Sequence, residues 1–298
     1  MKKRTLVWMM TAALTAGMLA GCSSQSGETT AASQETVETE ASEETTEEAA
    51  ETEETAGAEA VEGESEEILI AAAASLKNVF EEELIPMFQE KYPNIVVKGT
   101  YDSSGKLQTQ IEEGLEADVF MSAATTQMDA LNEEGLIASD TITDLLENKI
   151  VLIVPEGNEA GLSAFEDIAD AASIALGDPA SVPAGQYAQE ALTSLGIWDS
   201  IQDKVSFGTN VTEVLNQVAA ASADAGIVYA TDAASMEDQV DVVAEAPEGS
   251  LKTKVIYPVA VVKNTAHEKA AQNLVDFLKT PEAMAVFEAY GFAAGSEG

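Results

Sequence analysis

Four places in this 298-residue chain set small or hydroxyl-bearing residues where an apolar run gives way to helix formers. Ser75 follows ILIAAAA. Ser103, Ser104 and Gly105 follow VVKGTYD. Pro183, Ala184 and Gly185 follow the constrained turn GDPASV. Asn210, Val211 and Thr212 precede Glu213 at the spacing of a capping box. A helix start leaves backbone N–H groups without intrahelical acceptors and carries the positive end of the macrodipole. Pro183 suits a first turn because its missing N–H would have been unpaired anyway. Several such starts outside the carboxyl ends of sheet strands would form a socket for an anion. Each one alone reads equally as an ordinary capped helix, so the argument rests on their recurrence.

The elements that must position these junctions alternate along the chain. EILIAAAAS, NIVVKGTYDSS, ADVFMSAA, NKIVLIVPEG, ASIALGD, DAGIVYA and VIYPVAVVK read as strands and their turns. LKNVFEEELIPMFQEKY, GKLQTQIEEG, TTQMDALNEEG, AGQYAQEALTSLG and VTEVLNQVAAA read as helices, and KAAQNLVDFLKTPEAMAVFEAYG as two, broken at Pro281. This alternation predicts an α/β fold with parallel sheets. The 231 residues after position 67 suit two lobes. NKIVLIVPEG and KVIYPVAVVK are the expected crossings. They divide the chain into 68–148 plus 256–298 as lobe 1 and 149–255 as lobe 2.

The N-terminal segment is of another kind. Lys2, Lys3 and Arg4 precede an apolar stretch from Leu6 to Ala20 that is short for a membrane span, as in an export signal. It ends in Leu19-Ala20-Gly21-Cys22, which resembles the lipobox of bacterial lipoproteins. That resemblance implies a signal peptide over 1–21, lipidation at Cys22 and anchoring to the outer face of the cell membrane. Cys22 is the only cysteine, so no intramolecular disulfide is available. Residues 23–67 hold sixteen glutamates and no lysine or arginine. With so little apolar surface, positions 22–67 are expected to form a disordered, self-repelling tether.

The net charge of −39 leaves −26 on residues 68–298, eleven lysines against thirty-seven acids, and Arg4 is the only arginine. Without a basic stripe to displace counterions, nucleic acid is excluded as a partner.

AAAASL, YDSSGKLQTQIEEG, ADVFMSA, GDPASVPAGQYAQEAL, GTNVTEVLNQV, DAGIVYATDA and YPVAVV together resemble the molybdate-binding proteins of ABC importers, from about Ile68 to Phe292. The resemblance implies a two-lobed type II periplasmic-binding-protein fold. Each lobe would be a mixed sheet flanked by helices, with two crossing segments joining them. It implies an extracytoplasmic monomer that closes over molybdate or tungstate and delivers it to an ABC permease with its ATPase. Its ligand contacts fall on Ser75 and Ser104 in lobe 1 and on Ala184, Val211 and Tyr229 in lobe 2. The serines and the tyrosine would offer hydroxyls, and Ala184 and Val211 backbone N–H. Ala124 departs from the family, where a polar or acidic residue is common, but lies outside the contact motifs. Another tetrahedral oxyanion such as sulfate, or a tethered receptor feeding a sensor, would carry the same signature. Tyr229 could equally serve the core.

Fully ionised oxyanions present only acceptors, which N–H and O–H donors suit, and charge-assisted bonds are about twice as strong as neutral ones. A protonated phosphate needs an acceptor; Asp102 and Asp178 are near, and each reads first as a cap of its own helix. Lys77 and Lys106 follow the serines by two residues and are expected to face solvent. Long-range repulsion from the acidic surface is screened within about 8 Å at physiological salt. No cofactor is expected. Nor is an enzyme: His267, in NTAHEKAAQ, reads as a surface residue, and no nucleophile elbow, P-loop or His-rich metal set occurs.

Overall fold

The structure, a computed structural model, describes residues 65–295. The signal segment, Cys22 and all but the end of the acidic run lie outside the described residues. In chain order the elements begin with β1 (Glu66–Ala73), α1 (Lys77–Val79), α2 (Ile85–Lys91), β2 (Ile95–Asp102) and α3 (Ser104–Glu112). Then come β3 (Val119–Met121), α4 (Thr125–Glu133), β4 (Thr143–Asn148), β5 (Ile150–Pro155), β6 (Ile174–Gly177) and α5 (Pro183–Ser194). They continue with α6 (Trp198–Ile201), β7 (Val205–Gly208), α7 (Val211–Ala219), β8 (Ala225–Tyr229) and α8 (Ala230–Ala234). The last are β9 (Val240–Glu245), β10 (Val255–Val261), α9 (Glu268–Leu278), α10 (Pro281–Ala289) and β11 (Ala293–Ala294).

Two sheets result, ordered β11-β4-β10-β3-β1-β2 and β7-β6-β8-β5-β9. Both sheets are mixed, as the resemblance implies and unlike the parallel sheets that the strand-helix alternation alone predicts. β1 runs parallel to β2 and β3, and β6 to β7 and β8. β10 opposes β3 and β4, while β5 opposes β8 and β9. β5 and β10 are each the first strand after the chain changes sheets. The chain reaches them without the crossover helix that keeps successive strands parallel. Only Lys149 separates β4 from β5, and Ala246–Lys254 separates β9 from β10.

β5, with the apolar run IVLIV, lies between β8 and β9, and its residues Val151–Val154 are at most 2% exposed. Such a run is what a strand covered on both faces requires. The C-terminal helices are held to the first sheet by aromatic edges. Phe287 meets Phe80 at 6.2 Å and Phe292 at 5.9 Å, and Phe292 meets Tyr257 at 5.4 Å, all T-shaped. The break at Pro281 occurs as expected, with the Thr280 hydroxyl accepting from the Ala283 amide at 3.3 Å.

Several local expectations change. LKNVFEEELIPMFQEKY is not one regular helix: a π-turn over Phe80–Leu84 lies between α1 and α2. Pro86, at the start of α2, has no N–H for the preceding turn, and such widening is a known response to a broken helical ladder. β1 begins at Glu66, inside the acidic run, because its backbone pairs with β2 from Glu66↔Ile95 onward. β4, β7, β9 and β11 were not anticipated. β7 and β9 are edge strands with five of their ten residues exposed, so their apolar signal is weak.

Candidate functional site

The strands β1, β2, β7 and β8 each run within three residues into a helical turn, β6 reaches α5 through the turn at 178–182, and the junctions they create meet. Ser75, Ser104, Ala184, Val211 and Tyr229 all line one narrow cavity. Ser104, Ala184, Val211 and Tyr229 are buried, and Ser75, on the helical turn Ala74–Leu76 after β1, is half-buried. The structure thus gathers every residue expected there.

The turn GDPASV explains itself by close approach. A Cβ on Gly185 would stand 2.1 Å from the carbonyl oxygen of Gly177. The end of β6 and the start of α5 therefore touch backbone to backbone, and Gly185 is required for packing. Asp178 does not cap α5. Its carboxylate accepts from the Ala180 amide at 2.9 Å and its carbonyl from the Val182 amide at 2.8 Å, which builds the turn itself. Val182 is extended before Pro183, as a residue preceding proline must be.

None of the backbone amides of Ser75, Ser104, Ala184 and Val211 donates to another backbone group among the described residues. The start of α7 is capped by Asn210, whose side chain accepts from the Glu213 amide at 2.9 Å. Glu213 reaches back to the Thr209 amide at 2.7 Å, one residue before the box predicts. These bonds satisfy deeper donors and leave the Val211 amide free.

Each hydroxyl is held in place by a protein partner. Ser75 Oγ lies 3.0 Å from the Tyr257 hydroxyl. Ser104 Oγ accepts from the Ala123 amide at 3.0 Å, which keeps its own proton available. The Tyr229 hydroxyl donates to the Ala123 carbonyl at 3.3 Å, a long bond. Burial, with Tyr257 close by, drives the Tyr229 pKa well above the usual phenol range, so this group stays a donor. Ala123 was not anticipated: it acts through its backbone, and an alanine in MSAA carries no sequence signal for that.

The cavity's one charged lining residue is Asp102. Its carboxylate accepts from the Ser103 amide at 2.8 Å, Lys106 Nζ at 3.2 Å and Asn210 Nδ2 at 3.4 Å. It braces the turn before α3. Lys106 is turned to Asp102 instead of open solvent, and Lys77 is exposed; neither lines the cavity. Ala124 does not line it either.

Bonds across the gap hold the halves together. Gly105 N–H donates to the Ser181 carbonyl at 2.9 Å, and Gln127 Nε2 to Gln186 Oε1 at 3.2 Å. At the passage between sheets, Asn148 Nδ2 reaches Thr231 Oγ1 at 2.9 Å and the Tyr257 hydroxyl at 3.3 Å. Behind Tyr229, Asp232 is buried with Oδ2 unpartnered, and burial pushes its carboxyl up to about 7.

His267 is not a free surface residue. Its Nδ1 lies 3.1 Å from Asp118 Oδ1, and the buried Asp118 also accepts from the Leu69 amide at 2.6 Å and from Thr265 Oγ1. This cluster ties α9 to β1 away from the cavity. Among the described residues no group of His, Cys, Asp and Glu is arranged to hold a metal ion, and no helix is long and apolar enough to cross a membrane.

The family described as bacterial extracellular solute-binding protein matches residues 68–293. YvgL of Bacillus subtilis strain 168, named as a candidate ABC transporter substrate-binding lipoprotein, is 40% identical over 227 residues, covering 76% of this chain and 86% of its own. The molybdate-binding protein ModA of Escherichia coli K12 is 38% identical over 233 residues, covering 76% of this chain and 88% of its own. The solved substrate-binding domain of a candidate molybdenum ABC transporter from Clostridium difficile is 36% identical, with a TM-score of 0.61. The match covers 78% of this chain and all of that one.

Proposed function

The chain belongs to the family of bacterial extracellular solute-binding proteins, and from that premise we propose that it captures molybdate, and tungstate of nearly equal size, between its two lobes and delivers it to an ABC import permease. The observation that carries the reading is the convergence of four separate strand-to-helix junctions and the Tyr229 hydroxyl on one small, lysine-free cavity. Lobe 1 supplies Ser75 and Ser104; lobe 2 supplies Ala184, Val211 and Tyr229. Their amides and hydroxyls are fixed donors aimed at a guest that offers only acceptors. Bonds of that kind to a charged oxygen are worth about 1.5–3 kcal/mol each. The oxyanion displaces the Ala123 carbonyl as acceptor for the Tyr229 proton, a change made easy by the 3.3 Å length of that contact. Closure buries the anion, and the closed shape is what a permease reads. No covalent step is needed.

The protein works outside the cytoplasm, and we assign its anchor to diacylated Cys22, with the acidic run holding the binding domain away from the membrane. A diacylated cysteine supplies the two chains that stable anchoring needs.

Calorimetric titration of the domain from residue 65 onward with molybdate, tungstate, sulfate and phosphate tests the function. Tight binding of the two metal oxyanions, with sulfate and phosphate far weaker, is the expected result. Binding of sulfate or phosphate in preference to both would overturn the assignment.

A further inference from the structure

Ser103 is a buried serine with nothing to do. It is 3% exposed, and its Oγ has no hydrogen-bond partner. It occupies the N-cap of α3, the position where a serine normally accepts from an amide of the first turn, yet its side chain makes no cap bond. An orphaned buried hydroxyl is costly and rare, and its persistence needs a reason. Ser103 lines the same cavity as Ser75 and Ser104. Its backbone is pinned on both sides: the Ser103 amide donates to Asp102 at 2.8 Å, and its carbonyl accepts from Leu107 at 3.1 Å. Ser103 therefore lines the cavity from a rigid backbone, with its hydroxyl buried and unpartnered.

We infer that Ser103 Oγ is a further ligand donor, a hydroxyl left unpaired in the protein so that it can bond an oxygen of the bound oxyanion. The inference rests on the molybdate reading above and extends the donor set beyond Ser75, Ser104, Ala184, Val211 and Tyr229. A rotating hydroxyl with no competing acceptor gives up no protein bond when the anion arrives, unlike that of Tyr229.

The test compares wild type, Ser103→Ala and Ser103→Thr by molybdate calorimetry and by thermal unfolding without ligand. Ser103→Ala should bind molybdate about tenfold or more weakly. Its ligand-free melting temperature should stay unchanged or rise, because an unsatisfied polar atom has been removed. Ser103→Thr, which restores the hydroxyl, should recover most of the affinity. If Ser103→Ala binds molybdate within twofold of wild type, Ser103 is only a tolerated cap and the inference is overturned. If wild type itself binds no molybdate, the functional reading fails and takes this inference with it.

Discussion

The amide of Gly105 donates to the carbonyl of Ser181 across the gap between the lobes, at 2.9 Å, and nothing larger than glycine fits there. A Cβ on Gly105 would stand 2.5 Å from that same oxygen. The start of α3 and the turn before α5 thus come together backbone to backbone when the cavity forms. The contact at this point is main chain to main chain.

Gly105→Ala should therefore hinder closure while leaving each lobe intact. Overpacking of this kind costs about 1–3 kcal/mol. The expectation is molybdate affinity reduced by that amount with little change in the ligand-free melting temperature, since alanine suits a helical position better than glycine. Unchanged affinity would show that the two segments need not touch in the bound state.

Ser104→Ala removes two things, a donor to the guest and the acceptor of the Ala123 amide. Binding should weaken by about 1.5–3 kcal/mol. The buried Ala123 N–H left without a partner should also lower stability by about 1–3 kcal/mol. Urea unfolding without ligand separates the second effect from the first, and a variant with full affinity would reduce Ser104 to a purely structural role.

Asp232 sets a pH dependence. Its carboxyl titrates at about 7 in the folded protein against an ordinary 3.8. Between those values the folded chain keeps a proton that the unfolded chain has released, so stability falls as pH rises from about 4 to about 7 and levels off above. Asp232→Asn keeps the shape and removes the titration. Its advantage over wild type should be small near pH 4 and grow to a few kcal/mol by pH 8. Chemical denaturation at the two pH values measures it, and an advantage independent of pH would mean that burial costs the ionised carboxyl nothing.

Cys22→Ala should free the protein from the membrane. Fractionation of producing cells should find wild type with membranes and the variant in soluble extracytoplasmic or unprocessed form. Equal membrane association of both would remove Cys22 as the anchor.

Apolar runs such as IVLIV and ILIAAAA were enough to place the strands buried on both faces; the small residues recurring at helix starts pointed to an anion socket, and the resemblance picked out its five contacts, Tyr229 among them. Strands β4, β7, β9 and the two-residue β11 escaped notice. β7 and β9 lie at sheet edges, where one side meets water and residue type is weakly constrained. The mixed direction of the sheets came from the resemblance and not from the local pattern: it depends on where the chain changes sheets, which local pattern does not encode.

The amino-acid order by itself settled which residues could offer donors, because that property belongs to residue type and to the neighbouring helix start. It also settled that residues 68–298 hold no arginine and that the N-terminal apolar segment and the acidic run differ in composition from the rest. Only the folded chain decided that donors from Ser75 to Tyr229, more than 150 positions apart, share one cavity. It alone showed that Ala123 orients two of them through its main chain, that Gly105 and Gly185 are spaces for other backbone, and that Ser103 is unpaired. Those facts are distances between segments remote in sequence, and a distance is created by packing.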